Sequence, residues 1–328
     1  MNFHKYQEIE NHYIDKFINS IRLAGYDRSC IQWCALEKIH GANFTILCDG
    51  INIEYARRNG KLTSTEIFYN YNNVISKHAK NIIELFNLLK SKFEDIEYIQ
   101  VHGEIFGGLY NHPNIPPVKE AVKIQQGIYY APFNDYLIFD IMYITNDKKQ
   151  YLSQYELIDF CTKTNLGFIP ILHIGTFDEM INLNPEYEST IYQRYDLPKI
   201  ENNMAEGYVI KPIYPLIEIK QNQRIIIKLK ADKFADKKTT KTTQPESSTN
   251  ITEEQQQVID TIMCYVTEAR ISSAKSKYDY DNMKKSKLYG LIVKDILNDV
   301  QKEHIVEKDI KKIVTPKIIK ELINIMYE

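Results

Sequence analysis

Residues 37–44 read EKIHGANF and set a lysine, Lys38, in a run that otherwise alternates as a β-strand does. The alternation spans about residues 34–58 and is interrupted by Asp49-Gly50, a strong local signal for a hairpin turn. Lys38 is therefore expected in the first arm of a hairpin. Gly41, close behind it, permits a tight turn and the near approach of a ligand. A cornered amine is a nucleophile once its proton has gone, and desolvation or neighbouring cations favour that loss. By itself the Lys-x-x-Gly spacing says little, because a solvated strand lysine reads the same way.

Further chemistry-bearing residues follow in order. Arg57 and Arg58 precede an Asn59-Gly60 turn; a guanidinium suits bidentate recognition of phosphate, and an exposed hairpin end would equally carry two solvated charges. In VHGEIFGGLY (101–110) Glu104 lies between glycines, where a carboxylate suits a ribose hydroxyl or a metal ion, or else points outward from a half-buried strand. His102 reads as packing. In YLIFDIMY (136–143) Phe139, next to Asp140, suits stacking on a purine and equally suits the core. AEGYVIKP (205–212) carries Glu206 at a strand start and Lys211 at its end. In IIIKLKADKF (225–234), Lys228 and Lys230 are two apart and so share one face. Adjacent ammonium groups ask for an anion between them, which makes a phosphate site unless the strand is a plain basic edge.

Around these motifs, residues 73–93 repeat Val74, Ile75, Ile82, Ile83, Phe86 and Leu89 at helical spacing and predict one amphipathic helix. Short strands are expected at 98–106, 135–144, 206–212 and 224–234, and helices near 153–163 and 178–182. Such a mixture without regular alternation predicts an α+β fold with a largely antiparallel sheet. At 236–250 the chain turns polar and rich in Thr and Ser, which predicts a first domain over 1–236, a linker over 237–250 and a second domain over 251–328. Thr252 and Gln255 have capping-box spacing, and helical patterns over 288–300 and 316–327 make the second domain helical.

A chain of 328 residues suits one large and one smaller domain. With 44% hydrophobic and 26% charged residues it falls outside the disordered and fibrous classes. No apolar run approaches the roughly 20 residues that span a bilayer, and the first residues lack the apolar core of a secretory signal. The expectation is a soluble intracellular protein with no membrane partner, in the cytoplasm or, for a viral protein, the host cytoplasm. Cys30, Cys34, Cys48, Cys161 and Cys264 are odd in number and scattered, and read as reduced thiols. A net charge of −2 provides no overall attraction for phosphate, so any nucleic-acid binding would rest on local patches.

Taken in order, these motifs resemble the covalent nucleotidyltransferases, which include polynucleotide ligases and messenger RNA capping enzymes. Within them EKIHGANF, RRNG, HGEIFG, FDI, EGYVIKP and IKLK are similar to the RNA ligase 2 family, the group of the phage enzyme and the trypanosome editing ligases. ENHYIDKF (10–17), CYVTEARISS (264–273) and GLIVKDIL (290–297) also resemble it, so the similarity runs through most of the chain. The resemblance implies an ATP-grasp-like nucleotidyltransferase domain followed by a small all-α domain. It further implies an ATP-dependent RNA ligase, monomeric, needing Mg2+ or Mn2+. Its substrate would be RNA with 3′-OH and 5′-phosphate ends, at nicks in duplex, joined through lysyl-AMP and RNA-adenylate intermediates.

Carried onto this sequence, the family's roles give Lys38 the AMP adduct and Lys228 and Lys230 the α-phosphate. Nucleotide binding falls to Glu37, Ile39, His40, Asn43, Arg58 (phosphate), Glu104 (ribose), Phe139 (adenine stacking), Asp140, Glu206 and Lys211, with Glu104 and Glu206 also expected as metal ligands. Arg270, Asp295 and Asp299 fall where family members use an arginine and two acids in the distal, RNA-contacting domain. Ala42 stands where a threonine is frequent, and Asp299 where a longer glutamate is. DNA ligases and capping guanylyltransferases share the pocket but follow the last lysine motif with a small β-barrel, whereas residues after 250 read as helical. A nucleic-acid-binding protein with an inactive pocket is the non-enzyme alternative; against it, every expected catalytic residue type is present.

Overall fold

The computed structural model describes residues 1–328 apart from 64, 70, 147, 219–222, 236–251, 279–282, 304 and 328. Contacts divide the chain into two units, Met1–Ala231 and Asp232–Glu328. The linker expected at 237–250 lies outside the described residues.

In chain order the first unit contains β1 (Glu10–Asn11), α1 (Asp15–Leu23), β2 (Trp33–Glu37), β3 (Ala42–Cys48), β4 (Ile53–Arg57), β5 (Gly60–Lys61), α2 (Tyr71–Ile75), α3 (Ala79–Lys92), β6 (Ile96–Gly107) and β7 (Asn134–Thr145). It continues with β8 (Lys148–Tyr151), α4 (Gln154–Lys163), β9 (Ile171–Gly175), α5 (Phe177–Ile181), β10 (Gly207–Pro212), β11 (Ile217–Glu218), β12 (Gln223–Arg224) and β13 (Ile227–Lys230). One sheet runs β1-β13-β10-β2-β9, a second β5-β4-β3-β6-β7-β8, and β11 and β12 form a separate hairpin. All pairs are antiparallel except β1 with β13.

Period-two alternation gives each sheet one apolar face. In the five-stranded sheet Trp33, Ala35, Tyr208, Ile210, Ile227 and Leu229 pack with Phe17 and Ile21 of α1 and Phe177 and Met180 of α5. In the six-stranded sheet Phe44, Ile46, Ile99 and Val101 pack with residues of α2, α3 and α4, among them Val74, Leu85 and Leu157. Lys228 and Lys230 alternate with Ile227 and Leu229 in β13, and Asn43 and Glu104 alternate with the core residues of β3 and β6, so these polar residues lie on the opposite faces.

In the first unit three sequence expectations change. The run 34–58 is not one hairpin: β2 and β3 belong to different sheets, and Lys38 follows β2 in the connection between them. Only β3 and β4 form the expected hairpin, where Asp49 Oδ1 accepts the N–H groups of Ile51 and Asn52. The helix over 73–93 is split into α2 and α3 at a turn closed by His78 N–H on the Ile75 carbonyl; no residue between Ile75 and Ile82 is buried, so nothing anchors a continuous helix there. The run 224–234 is broken into β12, β13 and a 3-10 turn at Asp232–Phe234.

The second unit consists of α6 (Glu253–Cys264), α7 (Glu268–Lys277), α8 (Lys285–Glu303) and α9 (Lys308–Tyr327). They surround a core that includes Ile259, Ile262, Leu288, Ile296, Val314 and Ile318. Thr252 caps α6 in the expected box, its side chain accepting from Gln255 N–H. The helix expected to begin at Pro316 begins at Lys308 instead, with the proline in its interior. Buried Ile310, Val314, Ile318 and Leu322, spaced by four, hold the helix through a residue that cannot donate to the Lys312 carbonyl. The whole is α+β with largely antiparallel sheets, followed by helices. Among the described residues no helix is long and apolar enough to cross a membrane.

Candidate active site

The connection from β2 to β3 is shaped by three close backbone contacts. Lys38 N–H donates to the Gly207 carbonyl at 2.8 Å, and His40 N–H donates to the Tyr130 hydroxyl at 2.8 Å. A Cβ on Gly41 would lie 2.3 Å from the Ile105 carbonyl oxygen, so only glycine passes there. Gly207 has φ +128, and its Cβ would fall 2.1 Å from the Leu229 carbonyl, which is why Glu206 is followed by glycine where β10 meets β13.

Glu206 is the centre of the first charge cluster. Its Oε1 lies 2.9 Å from Lys38 Nζ and 3.0 Å from Lys230 Nζ, and its Oε2 lies 3.3 Å from His40 Nδ1. Burial would raise this carboxyl, but Lys38 and Lys230, with His40 adding, hold it well below the usual carboxylate range. The anion between Lys38 and Lys230 is thus a carboxylate of the chain itself. Lys38 and Lys230 keep 21% and 11% side-chain exposure, so the cluster is reachable from solvent. Lys228 shares the strand face of Lys230 and is half-buried.

Opposite, Asn43 and Glu104 are paired across β3 and β6. Burial pushes the Glu104 carboxyl up to about 8, with the Glu206 charge reinforcing it and Lys38 and Arg58 opposing. Asn43 Oδ1 is buried without a hydrogen-bond partner. Among the described residues no group of three or more His, Cys, Asp or Glu side chains forms a ready metal cage.

A second cluster surrounds Asp140. Arg224 reaches it with Nη1 at 2.5 Å and Nη2 at 3.4 Å, Tyr6 donates its hydroxyl at 2.8 Å, and Lys211 Nζ lies 3.8 Å away. Burial opposes ionisation of Asp140, but Arg224 and Lys211 outweigh it and lower the carboxyl. Lys211 also donates to the Phe139 carbonyl at 2.9 Å. The β6–β7 register shifts here, pairing His102 with Asp140 and Gly103 with Ile138, so Phe139 is the extra residue of a bulge. The bulge lets two successive residues meet one partner: Phe139 packs edge-on to the Tyr6 ring at 5.0 Å while Asp140 binds its hydroxyl.

Other sequence-assigned residues fall elsewhere. The Glu37 carboxylate is fully buried and taken up by Ser189 Oγ at 2.5 Å and by Thr190 N–H and Oγ1, each at 2.8 Å. Ile39 is buried. Arg58 sits in the β4–β5 turn, close enough to bear on Glu104. In the helical unit Arg270 forks onto Asp295 at 2.9 Å and Asp299 at 2.6 Å, and its own side chain is only 4% exposed. Sequence reasoning overlooked Tyr6, Tyr130 and Arg224. Arg224 heads the RIIIKLK run and was readable as a cation beside a strand; nothing local marks either tyrosine among 24.

Residues 31–230 match the family model described as RNA ligase, and residues 248–327 match that described as T4 RNA ligase 2 C-terminal. The chain is 30% identical over 243 residues to the mitochondrial RNA-editing ligase 1 of Trypanosoma brucei brucei, covering 63% of this chain and 50% of that one. It is also 30% identical over 164 residues to the mitochondrial RNA-editing ligase 2 of Trypanosoma brucei brucei (strain 927/4 GUTat10.1), covering 45% and 39%. It spans about half the length of the curated relatives it matches. Among solved structures, a Naegleria gruberi RNA ligase mutant with AMP and Mn aligns at TM-score 0.46 and 18% identity over 70% of this chain and 56% of that one. The same organism's RNA ligase with PPi aligns at 0.44 and 16% over 69% and 56%. With 200 consecutive residues matched by one model and most of the remainder by the other, the chain belongs to the RNA ligase family.

Proposed function

We propose that this chain is an ATP-dependent RNA ligase that seals 3′-OH to 5′-phosphate ends at nicks in duplex RNA. The observation that carries the reading is the Lys38 amine, 2.9 Å from Glu206 and facing Lys230 across the same carboxylate oxygen. Lys38 gives up its proton to solvent, and its lone pair attacks the α-phosphorus of ATP. The bond from that phosphorus to the bridging oxygen breaks, and pyrophosphate leaves with the electron pair. AMP passes from Nζ to an RNA 5′-phosphate, and a 3′-hydroxyl then attacks that phosphate and expels AMP.

Negative charge gathers on phosphoryl oxygens in each step, and Lys228, Lys230 and Arg58 would meet it. Phe139, held at its bulge by Lys211 and Tyr6, offers a ring for adenine, and Glu104 with the unpartnered Asn43 Oδ1 suits the ribose hydroxyls. Glu104 and Glu206 fit Mg2+ or Mn2+, since Mg2+ usually takes one or two carboxylates together with substrate phosphates and needs no all-protein cage. Such an ion, when bound, would supply further positive charge on the phosphates. Arg270, Asp295 and Asp299 would brace the face that the helical unit offers to RNA. The helical match after residue 248 favours RNA ligation over DNA ligation or capping.

Incubation with α-labelled ATP and Mg2+ tests the reading. Label should enter wild-type protein through an acid-labile bond and be absent from Lys38→Ala; label persisting in that variant overturns the mechanism.

A further inference from the structure

Tyr130 lies in the connection between β6 and β7, residues 108–133, which contains neither strand nor helix. The connection is nonetheless held by side-chain amides at three points. Gln125 accepts Gly107 N–H, Asn134 bonds both the N–H and the carbonyl of Val122, and Asn203 does the same for Tyr129, at 2.8 and 2.6 Å. The residue after this last clamp is Tyr130. Its ring is fully buried and stands edge-on to Phe106, with centroids 5.4 Å apart.

From that fixed position the Tyr130 hydroxyl accepts His40 N–H at 2.8 Å. Lys38 N–H is held by the Gly207 carbonyl, and the Glu37 side chain ahead of it is locked by Ser189 and Thr190. The His40 N–H lies two residues further along the loop, beyond that of Ile39, and Tyr130 supplies its acceptor. We infer that Tyr130 is a positioning residue for Lys38, its hydroxyl fixing the His40 peptide and so the direction in which the lysine amine leaves the loop. The inference rests on the reading of Lys38 as nucleophile. A phenylalanine fills the same space but cannot accept, so the His40 N–H must find another partner and the loop must move to reach it. In-line attack on phosphorus is sensitive to such displacements, whereas nucleotide binding, spread over many groups, is not.

The test compares wild type with Tyr130→Phe in single-turnover labelling by α-labelled ATP and in amide exchange of the full chain. Tyr130→Phe should lower the labelling rate at saturating ATP by roughly 10- to 100-fold, with the Kd for ATP changed less than about twofold. Exchange should accelerate in residues 38–41 while the β2 and β3 strands keep wild-type protection. Asn203→Ala, which frees the clamp at Tyr129 and leaves the hydroxyl in place, should change both readouts in the same direction by less, and serves if Tyr130→Phe melts early. A wild type that is never labelled fails the ligase reading and this inference with it. Normal labelling of wild type with an equal rate in both variants, or a loss confined to ATP affinity, overturns the inference alone.

Discussion

Glu206 and Asp140 are both buried carboxylates that each hold two cations, yet they make opposite kinds of structure. Glu206 faces two lysines, point charges on flexible stems, which meet on one oxygen and keep part of their surface in solvent. Asp140 faces the fork of Arg224, whose guanidinium also stacks on Tyr151 at 3.8 Å, together with Lys211 and the Tyr6 hydroxyl, all enclosed. A pair of cations on flexible stems that keeps contact with solvent can exchange its carboxylate for an incoming phosphate. A planar fork stacked on a ring and largely buried does so far less readily, and works as a brace beneath Phe139. The choice of lysine or arginine and the access of water, rather than charge count, separate the site from its support.

Substitution at the two carboxylates should break the comparison most visibly. Asp140→Ala strands Arg224 and Lys211 without an anion in a closed space, and such losses cost about 3–5 kcal/mol; urea unfolding should show it in the first unit. Glu206→Gln should cost less, roughly 1–3 kcal/mol, because Lys38 and Lys230 can turn toward water. Its melting temperature should also rise more with added pyrophosphate than that of wild type, since an anion then enters an unneutralised cluster. Equal losses in the two variants, together with no gain from pyrophosphate, would erase the distinction drawn between site and brace.

Part of this was legible in the sequence because Lys228 and Lys230 lie on one strand, where a spacing of two fixes a face. Lys228 with Lys230 needed only that rule, whereas Lys38 and Glu206, which lie just off β2 and β10, were assigned from the order of the motifs. The crossing from β2 to β3 was not legible, because alternation continues through residues 34–48 while the chain changes sheet. The shared orientation of Phe139 and Asp140 depends on a bulge, which adds one residue to β7 without any mark in its apolar run. Tyr6 and Tyr130 act from segments 134 and 90 residues away from their partners, Asp140 and His40, and such separations leave no local trace.

The neutral member of the brace gives a pH test. His102, its ring 4.9 Å from that of Tyr6, bonds Thr45 through Nδ1 and is pushed down to about 3 by burial, against the pull of Asp140. An unfolded histidine titrates near 6.5, so between that pH and about 3 the unfolded chain binds the extra proton. Stability from this residue is complete above pH 6.5 and falls as pH falls through that window. His102→Gln should shift the onset of acid unfolding to lower pH; an unchanged onset would assign the acid limb to Glu206 and Asp140, whose lowered carboxyls also lose stability on acidification.

The smallest effect is expected at Tyr6→Phe. The ring and its contacts with Phe139 and His102 remain, and Asp140 keeps both Arg224 bonds, so only one neutral hydroxyl donor is lost. One such bond contributes about 1 kcal/mol, a fraction of the effect at Asp140, and urea unfolding resolves the two. If Tyr6→Phe instead destabilised the unit as much as Asp140→Ala, the arginine fork would not suffice to hold the carboxylate. The N-terminal segment that carries Tyr6 would then be the part that keeps the brace closed.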